Sequence, residues 1–320
     1  MVYIVIVSYM NYNDTMSCLD SIRNLDFDSY ATIVINNSGN QDLGKSLSHD
    51  NKTQVATLSN VNLSILQKSK SITIIDGIKN EGFAAANNVA IRLLNDNKIL
   101  YDYIWFLNND TLVHEQSLKY LVIDIQRADN NVGIVGSKIM YHKKPDTIQS
   151  YGAKYNKFLA ACKAIGDGVK DNGQFNTLTN KQYDYVLGAS MLVKKEFIDT
   201  VGLMNEIYFL YFEELDWIKR GIKKKWSYMI SPDSVVYHKG GGATITDGKI
   251  SEFADAKQIR SRLIFTYLYY PNLLPLITFV VFISIFKRFF IYSGSRSIVI
   301  ANAIFNALKE IKLMKKNEKN

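Results

Sequence analysis

The chain has 320 residues, 38 Lys+Arg against 30 Asp+Glu, 47% hydrophobic residues, four prolines and two cysteines. That apolar content fills a real core, which excludes a disordered tail or a collagenous fibre. Cys18 and Cys162 are too few and too distant for a disulfide framework or a Cys-built zinc site, and they suit a reducing compartment. The formal charge of +8 is uneven: residues 257–320 hold eleven basic and two acidic groups, so the first 256 residues are nearly neutral. A basic tail interleaved with aromatic and aliphatic residues points to an anionic membrane surface and away from nucleic acid, whose binders spread Lys and Arg over a folded face.

Residues 2–7 form an apolar run too short for a secretory signal and read as a buried first strand. Asp14 is placed to cap a helix with Met16, Leu19, Ile22 and Leu25 on one face, and residues 31–35 return as a second buried strand. The polar stretch up to Ser71 has no clear period. A third β-branched run, 72–75, is followed by a helix over 83–94 and a strand over 101–107 that stops at Asn108-Asn109-Asp110. Strands alternating with helices imply an α/β fold with an open, mainly parallel sheet and helices on both faces. Ligands of such sheets bind beyond the C-terminal strand ends, where Ser8–Asn11, Asn36–Ser38, Lys79–Gly82 and Asn108–Asp110 all fall.

Further along, 115–131 reads as helix, 132–138 as strand, and 141–182 as loops or a short hairpin facing substrate. The pattern sharpens at 186–193, at a helix over 214–224, at a strand over 226–230, and at a short strand ending at His238. Residues 263–286 are 24 in a row without a charge, bracketed by Arg260 and Arg262 before and Lys287 and Arg288 after, yet they include Pro271 and Pro275. An amphipathic hairpin lying in the membrane interface is the leading expectation, with a single span or a buried helical pair as alternatives. The expected division is a catalytic domain over 1–256 and a membrane-associating helical segment over 257–320.

No GxGxxG follows the first strand, and no GxxxxGK[ST], HExxH or GxSxG occurs, which removes the common dinucleotide, P-loop, zinc-protease and hydrolase-elbow chemistries. Asp110 at a rigid strand end suits a hard divalent cation that in turn binds a diphosphate; taken alone, it reads first as a cap or turn residue. Glu213, Glu214 and Asp216 crowd three acids into four residues beside Trp217. Mutual repulsion and desolvation should raise at least one of them into the range of a general base, while a solvated helix start is the plain alternative. His238 ends a strand before a glycine run, as a metal ligand or a structural histidine would.

The order of these pieces resembles the bacterial family 2 glycosyltransferases of the GT-A fold, particularly their rhamnosyltransferase-like and galactofuranosyltransferase-like branch. Val5-Ile6-Val7-Ser8-Tyr9-Met10-Asn11 is similar to the family's first strand and T/S-Y-N turn, and Ile35-Asn36-Asn37-Ser38 to its V-D-N-x-S element. Asn80-Glu81-Gly82-Phe83-Ala84-Ala85-Ala86-Asn87-Asn88 resembles N-x-G-F-A-x-x-N-N, Leu107-Asn108-Asn109-Asp110 the L-N-x-D form of the DxD motif, and Tyr211-Phe212-Glu213-Glu214-Leu215-Asp216 the Y-F-E-D-x-D motif. By this resemblance Ser8, Tyr9, Asn11, Asn36, Asn37, Asn80, Gly82 and Asn87 form the nucleotide pocket, with Asn109 near the diphosphate. Asp110 and His238 hold Mg2+ or Mn2+. Glu214 stands at the family's catalytic Asp, supported by Glu213 and Asp216. Asn36, Asn108 and Glu214 depart from positions where the family often has Asp.

The resemblance implies an inverting transferase. A sugar would move from dTDP-rhamnose or a UDP-sugar to a hydroxyl of a lipid-linked saccharide, at the cytoplasmic face of the cell membrane, in O-antigen, capsule or other surface polysaccharide synthesis. The three departures motivate one alternative, a catalytically silent membrane-bound scaffold that binds nucleotide sugar.

Overall fold

The computed structural model describes residues 1–38, 52–240, 245–246, 249–291 and 294–317. The chain opens with β1 (Val2–Ser8), α1 (Tyr12–Arg23) and β2 (Tyr30–Asn36), β1 and β2 being buried throughout and parallel from Val2 opposite Tyr30 to Ser8 opposite Asn36. Asn11, not Asp14, occupies the cap position of α1; Asp14 lies in its first turn. Part of the unplaced polar stretch, 39–51, lies outside the described residues. The rest holds β3 (Thr53–Ala56) and a single turn, α2 (Leu63–Leu66), capped by the Asn62 side chain. Then come β4 (Ile72–Ile75), α3 (Phe83–Asp96) and β5 (Tyr103–Asn108). These five strands lie parallel in the order β3-β4-β2-β1-β5.

The second half changes direction. β6 (Thr111–Val113), α4 (Ser117–Arg127), β7 (Val132–Tyr141) and β8 (Lys144–Ser150) follow, then a separate antiparallel hairpin of β9 (Ala153–Asn156) and β10 (Ala161–Ala164). β11 (Ser190–Lys194) inserts antiparallel between β5 and β7, and leads through α5 (Lys195–Val201) and α6 (Glu213–Lys223) to β12 (Ser227–His238). The two strands expected over 226–238 are thus one, bent by a register shift between Ser231 and Val235 where it runs beside β7.

Side-chain alternation assigns the two faces of the sheet. Tyr3, Val5 and Val7 of β1 join a core with α3, α6 and the C-terminal helices, while Val2, Ile4 and Ile6 join a second core with α1 and α4. Burial on both faces is why these strands read as continuous apolar runs without alternation.

After a small hairpin, β13 (Ile245–Thr246) and β14 (Lys249–Ile250), the chain ends in three helices: α7 (Glu252–Tyr269), α8 (Leu274–Ile291) and α9 (Gly294–Asn317), with a 3-10 turn at Pro271–Leu273. The charge-free run over 263–286 is therefore divided. Its first part lies in α7, where Leu263, Ile264 and Phe265 are fully buried. The prolines sit where no helical N–H is needed, Pro271 opening the 3-10 turn and Pro275 in the first turn of α8. Among the described residues no helix is long and apolar enough to cross a membrane.

The expected boundary at 256/257 falls inside α7, and this helix is fastened to the segment before α6. Arg260 donates to the Ile207 carbonyl at 2.7 Å, Ser261 Oγ to the Leu210 carbonyl at 2.8 Å, and the Tyr269 hydroxyl to Asp216 Oδ1 at 2.7 Å. α9 is held in turn by a buried pair, Arg296 Nη2 and Asp255 Oδ2 at 3.1 Å, and by Arg260 Nε to Glu310 Oε2 at 3.0 Å.

Gly82, just before α3, has φ +102°, and a Cβ there would lie 2.2 Å from the Phe209 carbonyl oxygen. The same oxygen accepts the Phe83 N–H at 2.8 Å, so backbone meets backbone without room for a side chain. Gly82→Ala is expected to lower stability by roughly 2–4 kcal/mol, from a left-handed conformation plus an overpacked contact. Chemical denaturation checks it, as a lower midpoint at unchanged slope; an unchanged midpoint would mean the two segments do not meet this closely.

Candidate active site

β1 lies between β2, which leads outward to β4 and β3, and β5, which starts the other half of the sheet. A sheet ordered in this way opens a crevice at the C-terminal ends of its switch strands, here Ser8 and Asn108. Thr15 of α1 joins these ends: its Oγ1 lies 2.8 Å from Ser8 Oγ and accepts from Asn109 Nδ2 at 3.0 Å. On the other side, Asn37 Nδ2 donates to Asn80 Oδ1 at 3.0 Å, and the same oxygen accepts the Gly82 N–H at 3.1 Å. Asn37 Oδ1 is buried and has no hydrogen-bond partner among the described residues.

Asp110 and His238 meet although 128 positions separate them. β12 pairs with β6 so that His238 stands opposite Thr111, and His238 Nε2 lies 3.1 Å from Asp110 Oδ1. His238 Nδ1 lies 2.6 Å from Gln149 Oε1, and Nε2 lies 3.4 Å from the Asn108 amide nitrogen. A carboxylate beside an imidazole oriented by an outer hydrogen bond is a donor set that suits a divalent ion. Among the described residues no three or more His, Cys, Asp and Glu side chains gather in one place.

The acids open α6. Tyr211 and Phe212 both have positive φ, +68° and +75°, at a cost of about 1–3 kcal/mol each, and so turn the chain sharply into the helix. Glu213 is buried; its carboxyl accepts its own N–H and that of Tyr211, while Oε2 is left without a partner among the described residues. Burial, then the charge of Glu214, pushes its pKa well above the carboxylate range. Glu214 is half-buried and reaches a cavity of about 400 Å³ lined also by Cys162, Tyr185, Tyr211, Gln258 and Arg262. Burial raises its pKa too, opposed by hydrogen bonds from its own N–H and that of Gly188. One residue on, the Ala189 carbonyl accepts the Asn108 N–H at 3.1 Å. Glu214 and the Asn108–Asp110 turn are therefore neighbours across the 188–189 backbone. Burial likewise raises the Tyr185 hydroxyl, and pushes the Cys162 thiol up to about 11, keeping both neutral.

The model of the family described as Glycosyl transferase family 2 matches residues 3–188. The chain belongs to glycosyl transferase family 2. It is 23% identical over 217 residues to the low-salt glycan biosynthesis hexosyltransferase Agl10 of Haloferax volcanii, a match covering 68% of this chain and 60% of that protein. Among solved structures, the mannosyltransferase PcManGT from Pyrobaculum calidifontis, in complex with GDP-Man and Mn2+, superposes with TM-score 0.52 at 14% identity, over 98% of this chain and 83% of its own. GalNAc-T7 with UDP, GalNAc and Mn2+ gives 0.57 at 14% identity, over 81% and 47%. TarS 1-349 of S. aureus with UDP-GlcNAc gives 0.53 at 12%, over 97% and 81%. At these identities the likeness is one of fold, the GT-A fold.

Not every family 2 position in this chain faces open space. Asn36 is buried with its amide spent: Nδ2 donates to Asp76 Oδ1 at 2.7 Å and Oδ1 accepts from Ser38 Oγ at 2.6 Å. The carboxylate at these strand ends is that of Asp76, which sequence reading did not single out. Asn87 is buried inside α3, its Nδ2 bonded to the Phe83 carbonyl at 3.0 Å. Asp216 lies in the core, bonded to Arg220 Nε at 2.7 Å and to the Tyr269 and Tyr208 hydroxyls, and does not line the Glu214 cavity. Tyr9 is half-buried at the strand end, and the Asn11 amide donates to Asp14 Oδ2 at 2.6 Å. Thr15, Gln149, Cys162, Tyr185, Gln258 and Arg262 escaped notice. Only the i, i+4 step from Asn11 to Thr15 carried any signal for them.

A raised carboxyl pKa means that the folded state binds the proton more tightly than the unfolded chain. Stability contributed this way is present below the ordinary glutamate pKa and is lost as pH rises toward the folded value. Stability should therefore fall on going upward in pH from the mid-4s, and Glu213→Gln should flatten that slope. Urea denaturation of both proteins across this range reads it; parallel profiles would show that Glu213 is ionised in the native state.

Proposed function

We propose that this family 2 domain is a metal-dependent inverting glycosyltransferase. It would move a sugar from a nucleotide diphosphate donor, dTDP-rhamnose or a UDP-sugar, to a hydroxyl of a lipid-linked glycan in surface polysaccharide assembly. The observation that carries the reading is the approach of the Glu214 carboxyl, through Gly188 and Ala189, to the turn that bears Asp110 and its His238 partner. Asp110 and His238 would hold Mg2+ or Mn2+. The ion, when bound, would neutralise charge on the diphosphate leaving group.

Ser8, Asn37, Asn80 and Gly82 border the nucleotide side and the cavity the acceptor side. Glu214 lies at the boundary. It would take the proton of the acceptor hydroxyl, whose oxygen would attack the anomeric carbon opposite the leaving nucleotide. Glu213, held neutral, would sit behind it without a second negative charge. GDP-Man and UDP-GlcNAc bound in two of the solved structures, UDP with GalNAc in the third, and the hexosyltransferase name of the curated relative support a nucleotide-linked hexose donor generally. The rhamnosyl choice rests on the sequence resemblance alone.

Glu214→Gln should reduce transfer by about 10²–10⁴-fold while donor binding, followed by calorimetry with Mn2+, persists. A variant with full transfer would remove Glu214 from this role, and donor binding without turnover in the native protein would favour the silent scaffold.

The membrane-facing part of the proposal narrows to α8 and α9, since α7 is built into the catalytic body. Leu276, Phe279, Phe282 and Ile283 of α8 and Ile298 and Phe305 of α9 are all exposed. Lys309, Lys312, Lys315 and Lys316 follow at the end of α9. An apolar face edged by lysines suits peripheral docking on the inner, anionic leaflet of the cell membrane. Phe279→Ser with Phe305→Ser should weaken co-sedimentation with phosphatidylglycerol-containing vesicles about tenfold or more, from lost apolar burial. Unchanged partition would place any anchor elsewhere.

A further inference from the structure

A second hollow of about 610 Å³ adjoins the Glu214 cavity, and Ala161 and Cys162 stand in the walls of both. Four lysines line this second space: Lys154, Lys157 and Lys163 from the β9–β10 hairpin and Lys219 from α6. Lys154 and Lys163 are directly opposite each other in the hairpin ladder. A like-charge pair in that position destabilises a two-stranded hairpin, which has no third strand to compensate. Among the described residues none of the four lysines is in an ion pair with a carboxylate. The one acid in the wall, Asp184, is occupied, its Oδ2 accepting the Tyr155 N–H at 2.7 Å.

The hollow has a firm base. Tyr155 stacks on Tyr270, with ring centres 6.0 Å apart and planes 21° apart, and the Lys219 ammonium donates to the Tyr270 hydroxyl at 2.9 Å. Arg262 adds a fifth cation on the Glu214 side. At the hairpin tip, Phe158 and Leu159 are exposed beside Lys157. A cationic groove therefore leaves the cavity of the candidate base and ends at an apolar tip. We infer that this groove binds a phosphate or diphosphate carried by the acceptor, holding it so that a sugar hydroxyl of the same molecule reaches Glu214. The inference rests on the transfer reaction proposed above. A lipid diphosphate and a soluble sugar phosphate share the required chemistry.

Cys162 supplies a readout that does not depend on activity, because it is the exposed thiol in the shared wall while Cys18 is buried. The full-length protein, in EDTA, is labelled with N-ethylmaleimide and followed by mass spectrometry. Inorganic diphosphate, farnesyl diphosphate, or sodium chloride at matched ionic strength is present. At ten times its dissociation constant a groove ligand slows labelling about tenfold in the native protein, and about twofold or less in Lys154→Gln/Lys163→Gln. Salt gives no protection. The double variant is expected to melt no lower than the native protein, since a repulsion has been removed.

Absence of protection by either diphosphate, or equal protection in both proteins, overturns the inference. Tighter protection by farnesyl diphosphate assigns the anion to a lipid carrier, and equal protection to a soluble phosphorylated acceptor. UDP binding with Mn2+ is measured alongside and should be unchanged in the double variant. Its failure in the native protein would count against the transferase reading, while the labelling result still decides the groove.

Discussion

The site depends on one short crossing of backbone. Gly188 gives its N–H to the Glu214 carboxyl and Ala189 gives its carbonyl to the Asn108 N–H, so a helix start and a strand end are joined through two consecutive residues. That crossing exists because β11 runs antiparallel between β5 and β7, bringing its entry over the end of β5. A parallel strand there would enter from the opposite edge, and the acids of α6 would have no route to the turn carrying Asp110. The antiparallel insertion is the topological choice that brings the Glu214 cavity and the Asn108–Asp110 turn to one boundary.

α7 then holds that boundary from outside. Its bonds to the Ile207 and Leu210 carbonyls and to Asp216 fix the chain on both sides of the strained Tyr211–Phe212 turn. Phe265 packs against Phe212 with ring centres 5.2 Å apart. Two left-handed residues in succession would relax in a free loop; here the turn is over-determined by partners before, after and above it. A helix that composition groups with the basic tail is thus built into the main body, and among the described C-terminal helices the two beyond it keep an uncovered apolar face.

Four of the five parallel strands were legible because burial on both faces writes continuous apolar runs, and because their ends are marked by Asn, Gly or Ser; β3, mostly uncovered, writes no such run. Position along the chain then placed Ser8, Asn80 and Asp110 at the crevice edge without coordinates. The hairpin over 153–164 was legible only as loops or a short hairpin somewhere in 141–182. Each of its four-residue strands carries one lysine among small, polar or aromatic residues, too short a run to write a period. The division of residues 263–286 was hidden for another reason: an apolar run looks alike whether it packs on protein or on lipid, and only contacts separate Leu263 from Phe279. Asp76 and Gln149 act by touching residues that were recognised, and such partnerships have no sequence period.

The three departures from the family's carboxylates look like losses when taken singly, and the contacts argue otherwise. Asn36 is hydrogen-bonded to Asp76 at 2.7 Å, so the pair keeps one carboxylate at these strand ends, moved one strand outward. Asn108 keeps its amide nitrogen 3.4 Å from His238 Nε2, beside the Asp110–His238 pair but adding no charge to it. Glu214 is longer than Asp by one methylene, and its reach is met by the Gly188 N–H, where a side chain's Cβ would already be 3.7 Å from its carboxyl. Each change is therefore answered by a neighbour that fits it. A chain that had merely lost function would have no reason to retain such fits around a left-handed turn and an unpartnered buried carboxyl oxygen, both of which cost stability wherever they are not used.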